Sequence, residues 1–323
     1  MTAIGVLVPH FEGPLEPPEA RPIGRAALLL EDEGQAVVFG AHADDGCLVG
    51  HRAVPGGWQA VRQPIRFAYD RYPSQTDPEG YAALRAGLTG VSIANPLAMT
   101  LLCRDKVRTQ RVLEQHGLPQ PSIETDPTRF QDRLHQWGTA YLKPRFGAFG
   151  RGISRVVWGD ATPAQGEGAV AGHVEELFLQ QAIPPLSPWK GVACRVLAQR
   201  TGPSTWWVGP PVVRRSASDW VVNAARGAEV VPAQEVLPAL VDQLADLAER
   251  AARALADCPE GNLLVEIGLD AVVSHDQTPV IVEVNSRPRG RLEALAQLDP
   301  EQYQQAHVTA CCRPLRYLAT LID

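Results

Sequence analysis

Several large classes of protein are excluded by what this chain lacks. Its 323 residues contain no run of eighteen apolar residues, and the opening MTAIGVLVPHFEG has no basic stretch ahead of an apolar one. Neither a membrane span nor a secretory leader is therefore expected. Cysteine is sparse: Cys47, Cys103, Cys194, Cys258, Cys311 and Cys312 form no CxxC pair, which argues against a zinc knot or a disulfide framework and for a reducing cytoplasm. Positive charge is in deficit, with 30 Lys and Arg against 36 Asp and Glu for a net charge of -6. A general nucleic-acid binder would need the opposite balance. The signatures GxxxxGK[ST] and GxGxxG opening a helix are both missing, so neither a P-loop nor a dinucleotide fingerprint is present. His10, His42 and His51 have no familiar metal-ligand spacing, and Trp206 and Trp207 read as strand residues covering a core.

What is present is a chain with 45% hydrophobic residues, long enough for two or three lobes. From 1 to 95, the short apolar runs IGVLV (4–8), AALLL (26–30) and AVVFG (36–40) read as strands, with EDEG (31–34) as a hairpin turn. PGGWQAVRQP (55–64) has no clear assignment. Segment 100–116 reads as one helix ending at Gly117. Strands are expected at 139–143, 153–158 and 177–183, with a mobile Gly/Ala-rich linker near 159–169. A single amphipathic helix should cover 235–257, two strands 263–273 and 279–285, and a last helix 301–322.

Two places carry chemistry. KPRFGAFGRGI (143–153) sets a lysine at a strand end before Gly147, Gly150 and Gly152, so backbone can approach a polyphosphate closely and close over it. The second is the strand pair. A four-residue turn at 275–278 that pairs position 274 with 279 would place Asp270 opposite Glu283, and Asn285 on the same face opposite Gly268. Three oxygen ligands on one face suit Mg²⁺ bound to a nucleotide.

The order of these pieces, RDK (104–106), LKPRFGAFGRGI (142–153), FLQQAI (178–183), EIGLD (266–270) and VEVNSRP (282–288), resembles the ATP-grasp superfamily. CRVLAQR (194–200), PVVRR (211–215), NAARG (223–227), RPLRYLATL (313–321) and YDRYPS (69–74) bring it nearest to the YheC/YheD-type, spore-coat-associated branch. The resemblance implies a mixed α/β (α+β) ATP-grasp fold. A pre-ATP-grasp lobe would span 1–95, a central lobe with a glycine-rich lid 96–180, and a C-terminal lobe with the metal site 181–323.

It also implies site roles. Lys106, Lys143 and the lid glycines Gly147, Gly150 and Gly152 would meet ATP phosphates, and Gln180, Gln181, Ala182 and Ile183 would border adenine. Asp270, Glu283 and Asn285 would hold Mg²⁺ or Mn²⁺. Arg195, Arg214, Arg215 and Asn223 would lie near the transferred phosphoryl group, where guanidinium forks suit phosphate. Ala193, Ala228 and Arg289 depart from the branch pattern on the substrate side. Arg287 and Arg289, just past the metal strand, are expected to receive a second anionic molecule.

The activity implied is an ADP-forming ligase that activates a carboxylate as an acyl phosphate and joins it to an amine, with amino acids or peptides as substrates and neither nucleic acid nor membrane as partner. A phosphotransferase on the same fold, and a nucleotide-binding structural protein, are the alternatives.

Overall fold

The computed structural model describes residues 2–9, 21–54, 57–74, 76–147, 151–160, 176–222, 227–288 and 292–322, the side chains of 21 and 22 excepted. They form three sheets. The first holds β1 (Ala3–Leu7), β2 (Val37–Asp44), β3 (Cys47–Val54), β4 (Gly57–Asp70) and β5 (Ser92–Ala94), with α1 (Arg21–Asp32) and α2 (Pro78–Gly87) between strands. Strand β1 runs parallel to both β2 and β4, while β2, β3 and β4 are joined as antiparallel hairpins. Residues 57–64 of the unassigned segment thus supply the first half of the fourteen-residue β4, whose second half pairs with β1 and β5.

The AALLL run is helical, not a strand. Ile23, Ala26, Ala27 and Leu30 are buried while Leu28 and Leu29 are exposed, the i, i+3, i+4, i+7 pattern of a helix face. Without Ile23 the run is too short to separate the two periods. The EDEG segment consequently begins inside the helix, and Gly34 (φ +84°) turns the chain out of it.

The expected single helix at 100–116 is two: α3 (Leu97–Arg104) and α4 (Lys106–Gln115). Asp105 leaves helical geometry (φ -82°, ψ 92°), and its carboxylate accepts the Arg108 amide at 3.0 Å as an N-cap. The break sets Lys106 at the first position of α4.

The central sheet has the order β6-β9-β7-β8, from β6 (Ile123–Glu124), β7 (Thr139–Pro144), β8 (Ser154–Val157) and β9 (Leu177–Gln181), with α5 (Phe130–Trp137) before β7. The third sheet has the order β13-β12-β10-β14-β15. It is built of β10 (Gly191–Arg200), β12 (Val212–Ser216), β13 (Glu229–Pro232), β14 (Glu266–Val273) and β15 (Pro279–Asn285), and β11 (Trp206–Val208) pairs with β10. Pro238 divides the expected helix at 235–257 into a short α6 (Ala233–Val236) and α7 (Val241–Ala256). Leu244, Leu247, Ala248, Ala251 and Leu255 of α7 pack with Cys194, Val196, Ile267 and Leu269 of the sheet in the largest core cluster.

After α8 (Glu293–Leu298), α9 (Pro300–Ala319) returns to the first sheet. Cys311, Cys312, Leu315 and Leu318 share a core with Ile4, Val6, Ile23 and Leu30. Among the described residues, no helix is long and apolar enough to cross a membrane.

Candidate active site

The site grows from the β14–β15 register. Asp270 lies opposite Glu283, and Gly268 opposite Asn285, as expected. Nearer the turn the expectation misses by one: Val273, not Ser274, pairs with Pro279, and a bulge between Asp270 and Ala271 restores the register. Gly268 is required, because a Cβ there would meet the Pro288 Cβ at 2.8 Å and Nη1 of Arg195 at 3.2 Å.

Strand β10 places Arg195 directly opposite Asp270 on the other side of β14. The guanidinium grips the carboxylate in two bonds of 2.6 Å, Nε to Oδ1 and Nη2 to Oδ2. Arg214 of β12 adds a third bond to Oδ1. Arg214 is opposite Ala193, so no acid at that position competes for it. Burial opposes ionisation of Asp270, but the two guanidiniums overcome it and hold its pKa below the ordinary value. Glu283 is the contrast. Burial first, then the Asp270 charge, pushes its pKa up, and Lys106, Arg195 and Lys143 pull against that.

Of the expected anion ligands, Arg215 does not join. Successive strand residues face opposite ways, and its guanidinium bonds the exposed Glu229 at 2.7 and 2.9 Å and lies 4.4 Å over Trp189. It does not line the cavity described below.

The opposite wall comes from the central sheet. Lys143, at the end of β7, donates from Nζ to Oε1 of the buried Gln180. Desolvation, together with nearby Lys106, lowers its pKa to about 8 against the pull of Glu283. Lys106 Nζ donates to the carbonyls of Gly147 (3.0 Å) and Pro144 (3.4 Å). It is aimed by Asp105, which Arg145 grips at 2.8 and 2.7 Å. Gly147 has φ +146°, a geometry side-chain-bearing residues avoid.

Between the walls is a cavity of about 790 Å³, lined by Lys143, Gly147, Gln180, Gln181, Ile183, Arg195, Arg214, Asp270, Glu283, Asn285 and Arg287. Ala182 is not on its surface. The Gln181 and Ala182 amides already donate to the carbonyls of Ser122 (2.9 Å) and Thr139 (3.1 Å). Gly152 lies in the turn before β8, whereas Gly150, Asn223, Arg289 and Arg291 fall outside the described residues, as does most of the expected mobile linker.

Arg287 does not stand free for a ligand. It donates to Asp70 Oδ2 at 2.6 Å, to the Tyr72 carbonyl at 3.1 Å and to the Tyr81 hydroxyl at 3.4 Å. Asp70 is fully buried, and burial raises its pKa despite Arg287.

The donor set fits a hard cation. Glu283 and Asn285 make no side-chain hydrogen bond to any described residue, and Asp270 uses three of roughly four lone-pair directions on guanidiniums, leaving one.

Sequence reading overlooked one useful signal: of 30 Lys and Arg residues only Lys106, Lys143 and Lys190 are lysines. All three lie at this site: Lys143 and Lys190 line the cavity, and Lys106 bonds the carbonyl of Gly147, which lines it too. Asp70 and Tyr81, which hold Arg287, were also missed, because they lie more than two hundred residues from it in the chain.

A mixed α/β chain with a cavity between two antiparallel sheets, lysines on one wall and acidic oxygens on the other, has the layout of an ATP-grasp protein. The chain belongs to the YheC/D-like ATP-grasp family, whose model matches residues 98–321. Among solved structures it resembles D-alanyl-alanine synthetase A from Vibrio cholerae (16% identity, 98% of this chain and 99% of that one, TM-score 0.59). VanG D-Ala:D-Ser ligase from Enterococcus faecalis matches over 100% of both chains at 12% identity (TM-score 0.59). A RimK domain ATP-grasp protein from Sphaerobacter thermophilus matches at 18% identity over 96% and 98% (TM-score 0.55). At such identities the likeness shows the fold. No curated protein matches the chain in sequence.

Proposed function

We propose that this ATP-grasp protein is an ATP- and magnesium-dependent ligase that joins a carboxylate to an amine through an acyl phosphate. The observation that carries the reading is the convergence on one cavity of Lys143 from one sheet and Arg195, Arg214, Asp270, Glu283 and Asn285 from another. A structural scaffold has no need of two opposed carboxylates, where burial first and then the charge of Asp270 raise the pKa of Glu283. The names of two similar structures, a D-alanyl-alanine synthetase and a D-Ala:D-Ser ligase, favour C–N bond formation between amino acids.

In this reading Lys106 and Lys143 bind the triphosphate and the glycines at 147, 150 and 152 cover it. Gln180 to Ile183 border adenine. With the Gln181 and Ala182 amides already bonded, the strand meets the base through its remaining carbonyls and Ile183. Glu283, Asn285 and the free lone pair of Asp270 would hold Mg²⁺ (or Mn²⁺), which when bound neutralises phosphate charge. A substrate carboxylate oxygen forms a bond to the γ-phosphorus as the bond to ADP breaks. The amine then attacks the acyl carbon, inorganic phosphate leaves and the nitrogen gives up a proton. Arg195 and Arg214, fixed by Asp270, supply positive charge to these oxygens without having to reorganise. Asn223 and Arg289 are assigned to the same substrate side from the sequence alone.

The lobes are proposed as 1–95, 96–180 and 181–323, with α9 docked back on the first. Six cysteines without a disulfide fit a cytoplasmic setting. Incubation with Mg-ATP, a carboxylate library and hydroxylamine should yield a hydroxamate. ADP without hydroxamate, alongside a phosphorylated alcohol, would establish the phosphotransferase instead.

A further inference from the structure

Five arginines among the described residues line the cavity, and four of them have a carboxylate partner within the chain. Arg71 pairs with Glu266, Arg195 and Arg214 with Asp270, and Arg287 with Asp70. The fifth, Arg104, has no hydrogen bond, ion pair or ring partner among the described residues, although it is half-buried. Its chain neighbour Asp105 is unavailable, being taken by Arg145 and by the Arg108 amide. Leaving a guanidinium partly desolvated beside a cavity costs free energy that an incoming anion recovers.

The surroundings define the kind of anion. Arg104 closes α3, and Thr100, one turn earlier on the same helix face, also lines the cavity. The Thr100 hydroxyl accepts from Ser286 at 3.2 Å, and its own proton has no acceptor among the described residues. Ser74, on the loop after β4, lines the same cavity with an unbonded hydroxyl. A guanidinium fork and two hydroxyl donors that line one cavity suit a planar carboxylate. Thr100 reaches Ser286, the residue after Asn285, so this part of the cavity adjoins the end of the strand that carries the proposed metal oxygens.

We propose that Arg104, with Thr100 and Ser74, receives a carboxylate of the second substrate that takes no part in bond formation. The amine partner is then an amino acid or short peptide with a free carboxylate. This rests on the ligase reading of the same cavity and replaces Arg287 as the anion receptor, since Arg287 is held by Asp70.

The test is calorimetric titration of protein loaded with magnesium and the imido analogue of ATP. The probes are the twenty proteinogenic L-amino acids, D-alanine and glycylglycine, each as free acid and as C-terminal amide. At least one free acid should bind the wild type, its amide should not, and Arg104→Ala should weaken that acid about tenfold or more. Arg104→Lys should restore part of the loss, and nucleotide affinity should stay within about twofold in both variants. Should the alanine variant not fold, Arg104→Gln carries the same expectation. The inference is overturned if no free acid binds, if acid and amide bind alike, or if loss of the guanidinium changes nothing. Hydroxamate formation separates this from the broader reading. Its absence with carboxylate binding intact removes the ligase, while its presence without Arg104-dependent binding removes only the subsite.

Discussion

The two walls of the cavity solve the same electrostatic problem differently. On the β14–β15 side the charges are matched within the protein: Asp270 is held in three bonds by Arg195 and Arg214. On the central-sheet side Lys143 has only the neutral Gln180 as a bonded partner, and its pKa drops to about 8. One wall is organised by pairs within the protein, and in the proposed function the other is completed by an anion. Glu283 faces both, with its pKa raised by burial and by Asp270.

The two acids of the first wall should differ in whether their loss separates catalysis from folding. Glu283→Gln is expected to lower turnover by about 10²- to 10³-fold, the loss typical of one preorganised charge-stabilising group. Its melting temperature should hold or rise, because a like-charge contact disappears. Asp270→Ala should also lose turnover, and in addition lose on the order of 3 kcal/mol of stability, since it strands two guanidiniums. Paired melts and ADP-release rates decide the matter. Equal melting behaviour in the two variants would contradict an internally matched wall.

Arg287 extends the matched region toward the first sheet. Arg287→Ala leaves the fully buried Asp70 with only neutral hydrogen-bond partners, Tyr81 and the Tyr72 amide, and the weaker attraction of Arg85. A loss of about 3 kcal/mol is expected, with part of it recovered by adding Asp70→Asn. Denaturant melts of the single and double variants measure the coupling. Additive losses would show that the pair is not a tie between the sheets.

Arg214 and Arg215 test the strand alternation itself. Arg214→Ala should cut turnover by roughly ten- to a hundredfold, whereas Arg215→Ala, which loses an exposed pair with Glu229, should stay within about twofold. A reversed order in the rate assay would mean that β12 presents the other face to the cavity.

How much of this was legible in the sequence follows from the range of the interactions. The Asp270–Glu283 pairing follows from a short turn and the two-residue period of strands, and a bulge corrected the one-residue error near the turn. Lys143 was singled out by its strand-end place before the glycines and Lys106 by motif order, and the structure sets both beside the cavity. The AALLL run was misread because its period shows only with Ile23 included, and the break at Asp105 was missed because capping by a side chain competes with helix continuation. The choice between Arg214 and Arg215 needs the register of β12 on β10, which no local pattern contains. The pairing of Arg287 was not legible because its partner Asp70 is brought to it only by tertiary packing.

The second wall yields the smallest and most specific effect, a proton. In the free protein Lys143 titrates at about 8, below the ordinary lysine value, because burial and Lys106 disfavour its charged form. A bound triphosphate supplies the missing negative charge and moves the pKa back up. Between about pH 8 and the ordinary lysine range, the free protein is then mostly deprotonated at this site and the complex mostly protonated, so nucleotide binding must take up a proton. Well below pH 8 both forms are charged and the uptake vanishes. Calorimetric titration with a non-hydrolysable ATP analogue near pH 9, in two buffers of different ionisation enthalpy, should show uptake of up to about one proton per site. Lys143→Met should abolish it. Uptake that is equal at about pH 7 and pH 9, or that survives the substitution, would show that the lysine is already matched within the protein and that the two walls do not differ.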